Sequence, residues 1–315
     1  MTGWLDYDHG IAVVDAAYER PGLAAFYLLI QDGVAAFIDS GTAHSVDRAV
    51  AALTAKGLAP QDVAYVIPTH VHLDHAGGAG VMMRRFPNAR LVVHPRGARH
   101  MIDPSKLIAG VAEVYGAEAA AHGFGTLVPV AAERVIEAPD NFTLDFNGRE
   151  LLFLDTPGHA RHHFCVVDAH SGSIFTGDTF GISYREFDTE FGAFIFPTTT
   201  PVQFDPPALH ASIERLLQHR PRHMLLTHFG RVSEIARLAD DMHIMIDAFV
   251  EIARTVKDAG AQRHELLIQG QRKLLQAQLR VHDCRLDEAR IDELLAMDYE
   301  LNAQGLGVWL DRAAQ

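Results

Sequence analysis

The sequence predicts an α/β domain followed by a helical C-terminal extension. Over roughly the first 230 residues, short β-branched or aliphatic runs alternate with segments of helical spacing. Four of these runs end in or just before a His or an Asp, and strand signals stop from about residue 233 onward. We therefore predict a domain over residues 1–232 and a helical extension over residues 233–315.

Composition and charge exclude several classes of function. The 315 residues carry a formal charge of −13, which argues against binding to nucleic acid or to anionic membranes. The chain has two cysteines, no CxxC pair, no secretory signal at its start and no apolar stretch long enough to span a membrane. We expect a cytoplasmic protein that acts on a small molecule.

Several predicted strands end at a His or an Asp that could bind a metal ion. "AAFYLLI" and "VAAFIDSG" flank "QDG" as a hairpin would, and "SVDRAVAALTAKGL" has helical spacing up to Gly57. Further along, "AYVIPTH", "LLFLDTPGH", "SIFTGD" and "HMLLTHF" lead to His70, His159, Asp178 and His228. In sheets covered by helices, sites form where strand ends open into loops, so we expect these side chains to converge.

The stretch from about residue 96 to 135 interrupts this pattern. It reads as broken helix between two ligand-bearing strands, which is where a lid over a site could be inserted. Its apolar side chains could exclude water and select an apolar acyl group: Leu107, Ile108, Val111, Val114 and Tyr115.

The helical extension begins with a heptad seam. Its apolar residues alternate in spacings of three and four: Ile235, Leu238, Met242, Met245, Phe249, Ile252 and Val256. A helix packed on its own domain explains this spacing, and a homodimer through the C-terminal helices is the alternative.

The segment "THVHLDH" concentrates metal ligands. His70 and His72 can point from a loop to one ion, while Asp74 and His75 suit a second ion beside the first. Four residues cannot complete two coordination shells, so more ligands must come from distant strand ends. The strand ends offer His159, Asp178 and His228, and a carboxylate such as that of Asp178 can bridge two ions.

These motifs resemble the metallo-β-lactamase fold superfamily, in its glyoxalase II-like or lactonase-like branch. The matching motifs, in order, are "FIDSG" with Asp39, "HVHLDH", "TPGH", "TGD" and "LLTH". The resemblance implies an αββα sandwich with the site at one edge. It implies two divalent ions, with zinc the first choice and iron or manganese the alternatives. One ion would be held by His70, His72 and His159, and the other by Asp74, His75 and His228, with Asp178 bridging and Asp39 orienting a ligand imidazole.

The expected activity is that of a dinuclear metal-dependent hydrolase. A metal-bound hydroxide would attack an ester, thioester or lactone carbonyl. Asp74 and Asp178 would hold the ions and accept the proton of the nucleophile, and Tyr184 would donate to the developing oxyanion unless it only packs.

Two other classes of function stay open at this point. Persulfide dioxygenases of the same superfamily resemble the same motifs but use one iron, and a non-catalytic protein could use the metal only to brace its fold. A flavodiiron enzyme is disfavoured because position 72 is His, not Glu, and no flavodoxin-like domain is present. The basic cluster that would grip glutathione is not identifiable, nor is the insertion typical of nucleases in the superfamily.

Several further residues have an ordinary structural interpretation. Asp39 could simply cap a turn with Ser40 and Gly41, and His163 is expected to be a surface or core histidine rather than a neighbour of the ligands. Cys165 reads as a buried strand residue. Arg231, just past His228, could meet an anionic group of the substrate.

Overall fold

The computed structural model describes residues 3–199 and 202–313, with the backbone alone for residues 113–115 and 117. The strands in this part are β1 (Trp4–Asp6), β2 (Ile11–Asp15), β3 (Ala25–Gln31), β4 (Val34–Ile38), β5 (Val63–Ile67), β6 (Arg90–Val93), β7 (Val135–Glu137), β8 (Phe142–Phe146), β9 (Arg149–Asp155), β10 (Phe164–Asp168), β11 (Ser173–Gly177), β12 (His223–Leu226) and β13 (Gly230–Val232). The helices are α1 (Val46–Ala55), α2 (Leu73–Ala76), α3 (Ala79–Arg85), α4 (Pro95–Ile102), α5 (Ser105–Tyr115), α6 (Ala117–Phe124), α7 (Pro206–Leu217), α8 (Ile235–Thr255), α9 (Arg263–Val281) and α10 (Glu288–Ala313).

The chain divides into two compact units that interleave along the sequence. The first consists of Met1–Asp155, His162–Gly177 and Met224–Arg231. The second consists of Thr156–Arg161, Asp178–His223 and Val232–Gln315.

The first unit carries two sheets. One has the strand order β1-β2-β3-β4-β5-β6-β7 and the other β13-β12-β11-β10-β9-β8. Strands β1 to β4 form an antiparallel meander, whereas β4 to β7 run parallel. The predicted hairpin is confirmed: β3 and β4 are joined by Asp32 and Gly33, whose φ angles of 46° and 81° suit a tight two-residue turn.

The core of the first unit lies between the two sheets. Alternate residues of each strand point inward, so Tyr27 of the first sheet meets Phe175 of the second with ring centroids 5.2 Å apart. Tyr27 also donates its hydroxyl proton to the carbonyl of Leu226 at 2.6 Å, which satisfies its polar end inside the core. With α1 and α3 packed on the first sheet and helices at the C-terminus, the structure confirms the predicted fold class.

The stretch predicted to be a lid forms α4, α5 and α6. On α5, Ile108 is 47% exposed, and Leu107 and Val111 are half-buried. Val114 and Tyr115 lie outside the residues whose side chains are described. The role of this stretch as a lid stays a prediction.

The predicted heptad seam lies on α8 in the second unit. Its first five residues, from Ile235 to Phe249, are each at most 9% exposed within one chain, and Ile252 and Val256 are half-buried. Helices α7, α9 and α10 of the same unit pack against α8. Burial inside one chain therefore accounts for the spacing, and a homodimer through these helices stays a prediction.

Within the described residues, no helix has both the length and the apolar character needed to cross a membrane.

Glycines of the "AGGAG" segment permit close backbone packing next to α2. In α3, a Cβ on Gly80 would lie 1.9 Å from the carbonyl oxygen of Val128. That neighbour is backbone and cannot move aside cheaply, so any side chain at this position displaces a chain segment.

We therefore expect Gly80→Ala to lower the free energy of unfolding by about 1–3 kcal/mol, as overpacking does. Gly110→Ala on α5 is the matched control, because a Cβ there meets nothing within 4 Å. Urea denaturation of both variants tests this. Equal stability of the two variants would contradict the packing argument.

Candidate metal centre

The ligand-rich segment follows β5 directly. The chain leaves the strand at Ile67, passes His70 and His72 in an extended loop, and turns into the single helical turn α2. This turn carries Asp74 and His75. Because α2 starts immediately after His72, four potential ligands are presented within six residues at the carboxyl end of a buried strand.

Asp39 joins three segments of the first unit through its buried carboxylate. One oxygen accepts from the backbone nitrogen of Thr69 at 2.7 Å and from its hydroxyl at 2.9 Å. The other accepts from Nδ1 of His75 at 2.8 Å and from the hydroxyl of Thr227 at 2.6 Å. Four donors on one carboxylate explain why Asp39 tolerates a φ of 59°. The interpretation of Asp39 as a simple cap of the turn with Ser40 and Gly41 is therefore wrong.

This network determines which nitrogen of two histidines carries the proton. A carboxylate only accepts, so His75 must donate from Nδ1 and its lone pair lies on Nε2. The Thr69 hydroxyl gives its proton to Asp39, so it accepts from Nδ1 of His70 at 3.2 Å. The lone pair of His70 therefore also lies on Nε2. A histidine held by its other nitrogen in this way is the arrangement that metal ligands show.

His70 and His72 present two nitrogens to one point. Nε2 of His70 lies 2.9 Å from Nδ1 of His72, and the two rings are nearly perpendicular. Two nitrogens that are each about 2.0–2.1 Å from one zinc ion lie roughly 3 Å apart. The spacing of the pair thus fits two ligands of one ion.

A second cluster combines Asp74, His75 and His228. Oδ2 of Asp74 lies 3.5 Å from Nε2 of His75 and 3.2 Å from Nε2 of His228. His228 donates from Nδ1 to the carbonyl of Leu23 at 2.8 Å, so its lone pair too lies on Nε2. One ligand atom from each of the three residues lies within 4.8 Å of the others, and the donor set suits a divalent transition metal.

His159 and Asp178 belong to the second unit, where they lie side by side. Nε2 of His159 is 3.3 Å from Oδ2 of Asp178, and both side chains are almost fully buried. The sequence predicts both residues as metal ligands, His159 on one ion and Asp178 between the two, and this stays a prediction.

Neighbouring side chains of the first unit leave no space for a side chain at Gly177, the residue before Asp178. Gly177 has a φ of 47°, and a Cβ there would lie 2.6 Å from both Nε2 of His163 and Oγ1 of Thr69. His163 is buried and stacks on His70 with ring centroids 4.8 Å apart. The "TGD" motif therefore needs its glycine for space as well as for conformation.

Three residues around the site were not found by sequence reasoning. Thr69 and Thr227 orient Asp39, and His162 has its Nδ1 3.5 Å from the backbone nitrogen of Val71. The available signal was position: each threonine immediately precedes a predicted ligand, in "PTH" and "LTH".

The structure also shows the surroundings of three other residues discussed above: Arg231, Cys165 and Tyr184. The guanidinium of Arg231 lies over the ring of Tyr7, with Cζ 4.4 Å from the ring centroid. Cys165 is confirmed as a buried strand residue on β10. Tyr184, in the second unit, donates its hydroxyl proton to the carboxylate of Asp298, whose oxygens are both 3.1 Å away. The predicted catalytic role of Tyr184 would require that proton to leave Asp298.

We expect Asp39→Asn to weaken metal binding about 10–100-fold, the usual cost of losing the group that orients a ligand imidazole. The amide would turn an NH2 group toward two of the four donors, and in the orientation that faces His75 and Thr227, His75 would lose the acceptor that holds its tautomer. Competition with a chromophoric chelator measures this. Asp47→Asn, an exposed residue paired with Arg85, is the control. Unchanged affinity in Asp39→Asn would contradict the assigned network.

We expect Tyr184→Phe to lower the free energy of unfolding by about 1–3 kcal/mol, because Asp298 loses a buried donor. Chemical denaturation and steady-state kinetics on the same variant separate two roles. A loss of about 10²-fold in kcat with unchanged stability would instead show the catalytic role to be correct.

Comparisons with known proteins identify relatives of this chain in sequence and in fold. The metallo-beta-lactamase fold-containing protein ST1585 from Sulfurisphaera tokodaii is 27% identical over 218 residues, covering 68% of this chain and 76% of that protein. Its crystal structure matches with a TM-score of 0.60 over 75% of this chain and 85% of that one. A metallo-beta-lactamase family protein from Thermus thermophilus, TTHA1429, shares the fold at 19% identity, with a TM-score of 0.68 and coverage of 97% and 94%.

A hydroxyacylglutathione hydrolase from a Synechococcus species is 29% identical over 143 residues, which is 45% of this chain and 45% of that protein. The chain thus spans less than half of this relative. A model of the metallo-beta-lactamase superfamily matches residues 20–229, more than half of the chain, and the chain therefore belongs to that superfamily.

Proposed function

We propose that this protein is a binuclear metal-dependent hydrolase that acts on an ester, thioester or lactone carbonyl. The observation that carries the proposal is the cluster of Asp74, His75 and His228. Each of the three contributes an acceptor atom to one small region, and two of these acceptors are imidazole nitrogens fixed by donation from the opposite nitrogen. Converging acceptors repel one another unless a cation lies among them.

The second ion is assigned to His70, His72 and His159. His70 and His72 already show the spacing of two ligands on one ion. His159 is assigned as the third from the superfamily pattern, since it lies in the connection between β9 and β10. Asp178 follows the last residue of β11 and is paired with His159, so we assign it the bridging position.

The two ions would supply a hydroxide at neutral pH by lowering the pKa of a shared water toward about 7, and would polarise the carbonyl under attack. The protein's own residues do the rest. Asp39 holds His75 in one tautomer, and Asp74 and Asp178 offer carboxylate oxygens that can take up the proton of the nucleophile.

The activity class comes from the family and the relatives. Hydrolase is the activity in the name of the Synechococcus relative, and its transfer to this chain is part of the proposal. Zinc suits a set of histidines and carboxylates that needs only Lewis acidity, and iron or manganese would suit it as well. Turnover rates on a panel of esters, thioesters and lactones distinguish among these substrate classes.

We expect Asp178→Asn to lose at least one bound ion and about 10²-fold or more in kcat. The amide keeps the size of the side chain but removes the charge that lets it bridge two cations. Metal analysis and turnover on an ester, thioester and lactone panel measure both effects. Asp240→Asn is the control, since this exposed residue lies on α8 of the same unit.

The same preparation tests the competing oxygen chemistry. Oxygen uptake should stay at background with thiols and persulfides, while zinc- or manganese-loaded protein turns over a member of the panel. Substrate-dependent oxygen consumption by protein that holds a single iron would overturn the hydrolase assignment.

A further inference from the structure

The second unit contains a cavity that the proposed hydrolase site does not use. Its volume is about 720 Å³, within the range of small-molecule sites. Three arginines from three separate segments line it: Arg161 from the loop after His159, Arg254 from the last turn of α8 and Arg312 from the last turn of α10.

Within the described part of the chain, two of these arginines have no carboxylate partner. Among the described residues, the guanidinium groups of Arg254 and Arg312 make no ion pair or hydrogen bond, whereas Arg263 and Arg290 of the same helical region are paired with Asp311 and Glu293. Cations near helix C-termini also offset the helix dipole. That role needs no cavity, and it does not explain why both side chains border the same one.

The wall of the cavity also offers apolar surface. Phe204 and Trp309 line it with their rings in an edge-to-face arrangement, their centroids 6.3 Å apart, and Val250 adds an aliphatic side chain. Phe204 and Val250 are buried, and Trp309 is half-buried, so a ligand ring or chain could pack against Trp309 without first exposing the core.

Three carboxylates line the cavity too, and they set its polarity. Asp205 accepts from the backbone nitrogen of Ala208 as the N-cap of α7, and Asp247 accepts from Nε2 of His210 at 3.2 Å. Glu251 has no such partner among the described residues. The guanidinium groups of Arg254 and Arg312 therefore share the cavity lining with one carboxylate, that of Glu251, that is not already hydrogen-bonded among the described residues.

We propose that this cavity binds an amphipathic organic anion, with its acidic group on Arg254 and Arg312 and its apolar body against Trp309 and Phe204. Guanidinium forks bind carboxylate, sulfonate and phosphate oxygens in the same way, so these groups share the proposed chemistry. The apolar body distinguishes the ligand from a simple ion. The inference is independent of the proposed hydrolase activity, because none of its residues is assigned to the metal ions.

The chain has two tryptophans, Trp4 and Trp309, which gives a direct readout in the full-length, metal-loaded protein. The indole N–H of each gives one signal in a proton–nitrogen correlation spectrum, and Trp309→Phe identifies which is which. Titration with 4-phenylbutyrate should move the Trp309 signal to saturation. The Trp4 signal should stay in place, since Trp4 does not line the cavity.

Two comparisons test the role of charge, and a third tests the role of the apolar body. The neutral amide of the same acid, and the variant Arg254→Gln/Arg312→Gln, should each raise Kd at least about tenfold, the scale of a lost charge-assisted hydrogen bond. Arg290→Gln is the control, since this arginine also lies on α10 but is paired with Glu293. Phenyl phosphate should bind and inorganic phosphate alone should bind at least about tenfold more weakly, because it lacks the apolar body.

Three results would overturn the proposal: no saturable movement of the Trp309 signal with either phenyl anion, equal binding of the acid and its amide, or an unchanged Kd in the double arginine variant. Phosphate that binds as well as phenyl phosphate would equally overturn it, since the aromatic wall would then contribute nothing. None of these results depends on turnover, so the hydrolase assignment would stand or fall separately.

Discussion

The carboxylate of Asp39 is the group on which the geometry of the first unit's ligands depends. It lies buried at the end of β4 and takes four hydrogen bonds from residues on three segments. The two bonds from Thr69 fix the residue beside His70, the third fixes His75 itself, and the fourth fixes Thr227, one residue before His228. Burying a carboxylate costs free energy unless its oxygens accept hydrogen bonds, so these bonds hold the three segments in one relative arrangement.

That arrangement has an electrostatic consequence. The hydroxyl oxygen of Thr69, the carboxylate of Asp39 and the carbonyl of Leu23 accept the Nδ1 protons of His70, His75 and His228, which leaves the lone pair of each ring on Nε2. Folding thus brings acceptors together, which is unfavourable without a cation. If the proposed ions bind there, metal binding and stability would be coupled for this reason, and chelation should loosen the loops that carry the candidate ligands.

The placement of the candidate ligands at strand ends could be predicted from sequence because two local signals coincide there. Apolar runs of strand length identify the strands, and His or Asp at their ends identifies a site at the sheet edge. Cys165 and the hairpin at Asp32 and Gly33 were predicted for similarly local reasons.

The supporting contacts could not be predicted, because they join residues that are distant in sequence and ordinary in type. Threonine before a ligand has no distinctive signal, and Thr227 reaches Asp39 across 188 positions. The partner of Tyr184 is Asp298, on the last helix. The arginine-lined cavity combines a loop with the ends of two helices, so no single stretch of sequence shows it.

The tautomers of the histidines test the central claim most directly. A long-range proton–nitrogen correlation spectrum of the zinc-loaded protein, with assignments from single His→Gln variants, distinguishes protonated from metal-bound ring nitrogens. We predict protonated Nδ1 and metal-bound Nε2 for His70, His75 and His228, and the reverse for His72, whose Nδ1 faces His70. A metal-bound Nδ1 on His75, or a ring protonated on both nitrogens, would contradict the account.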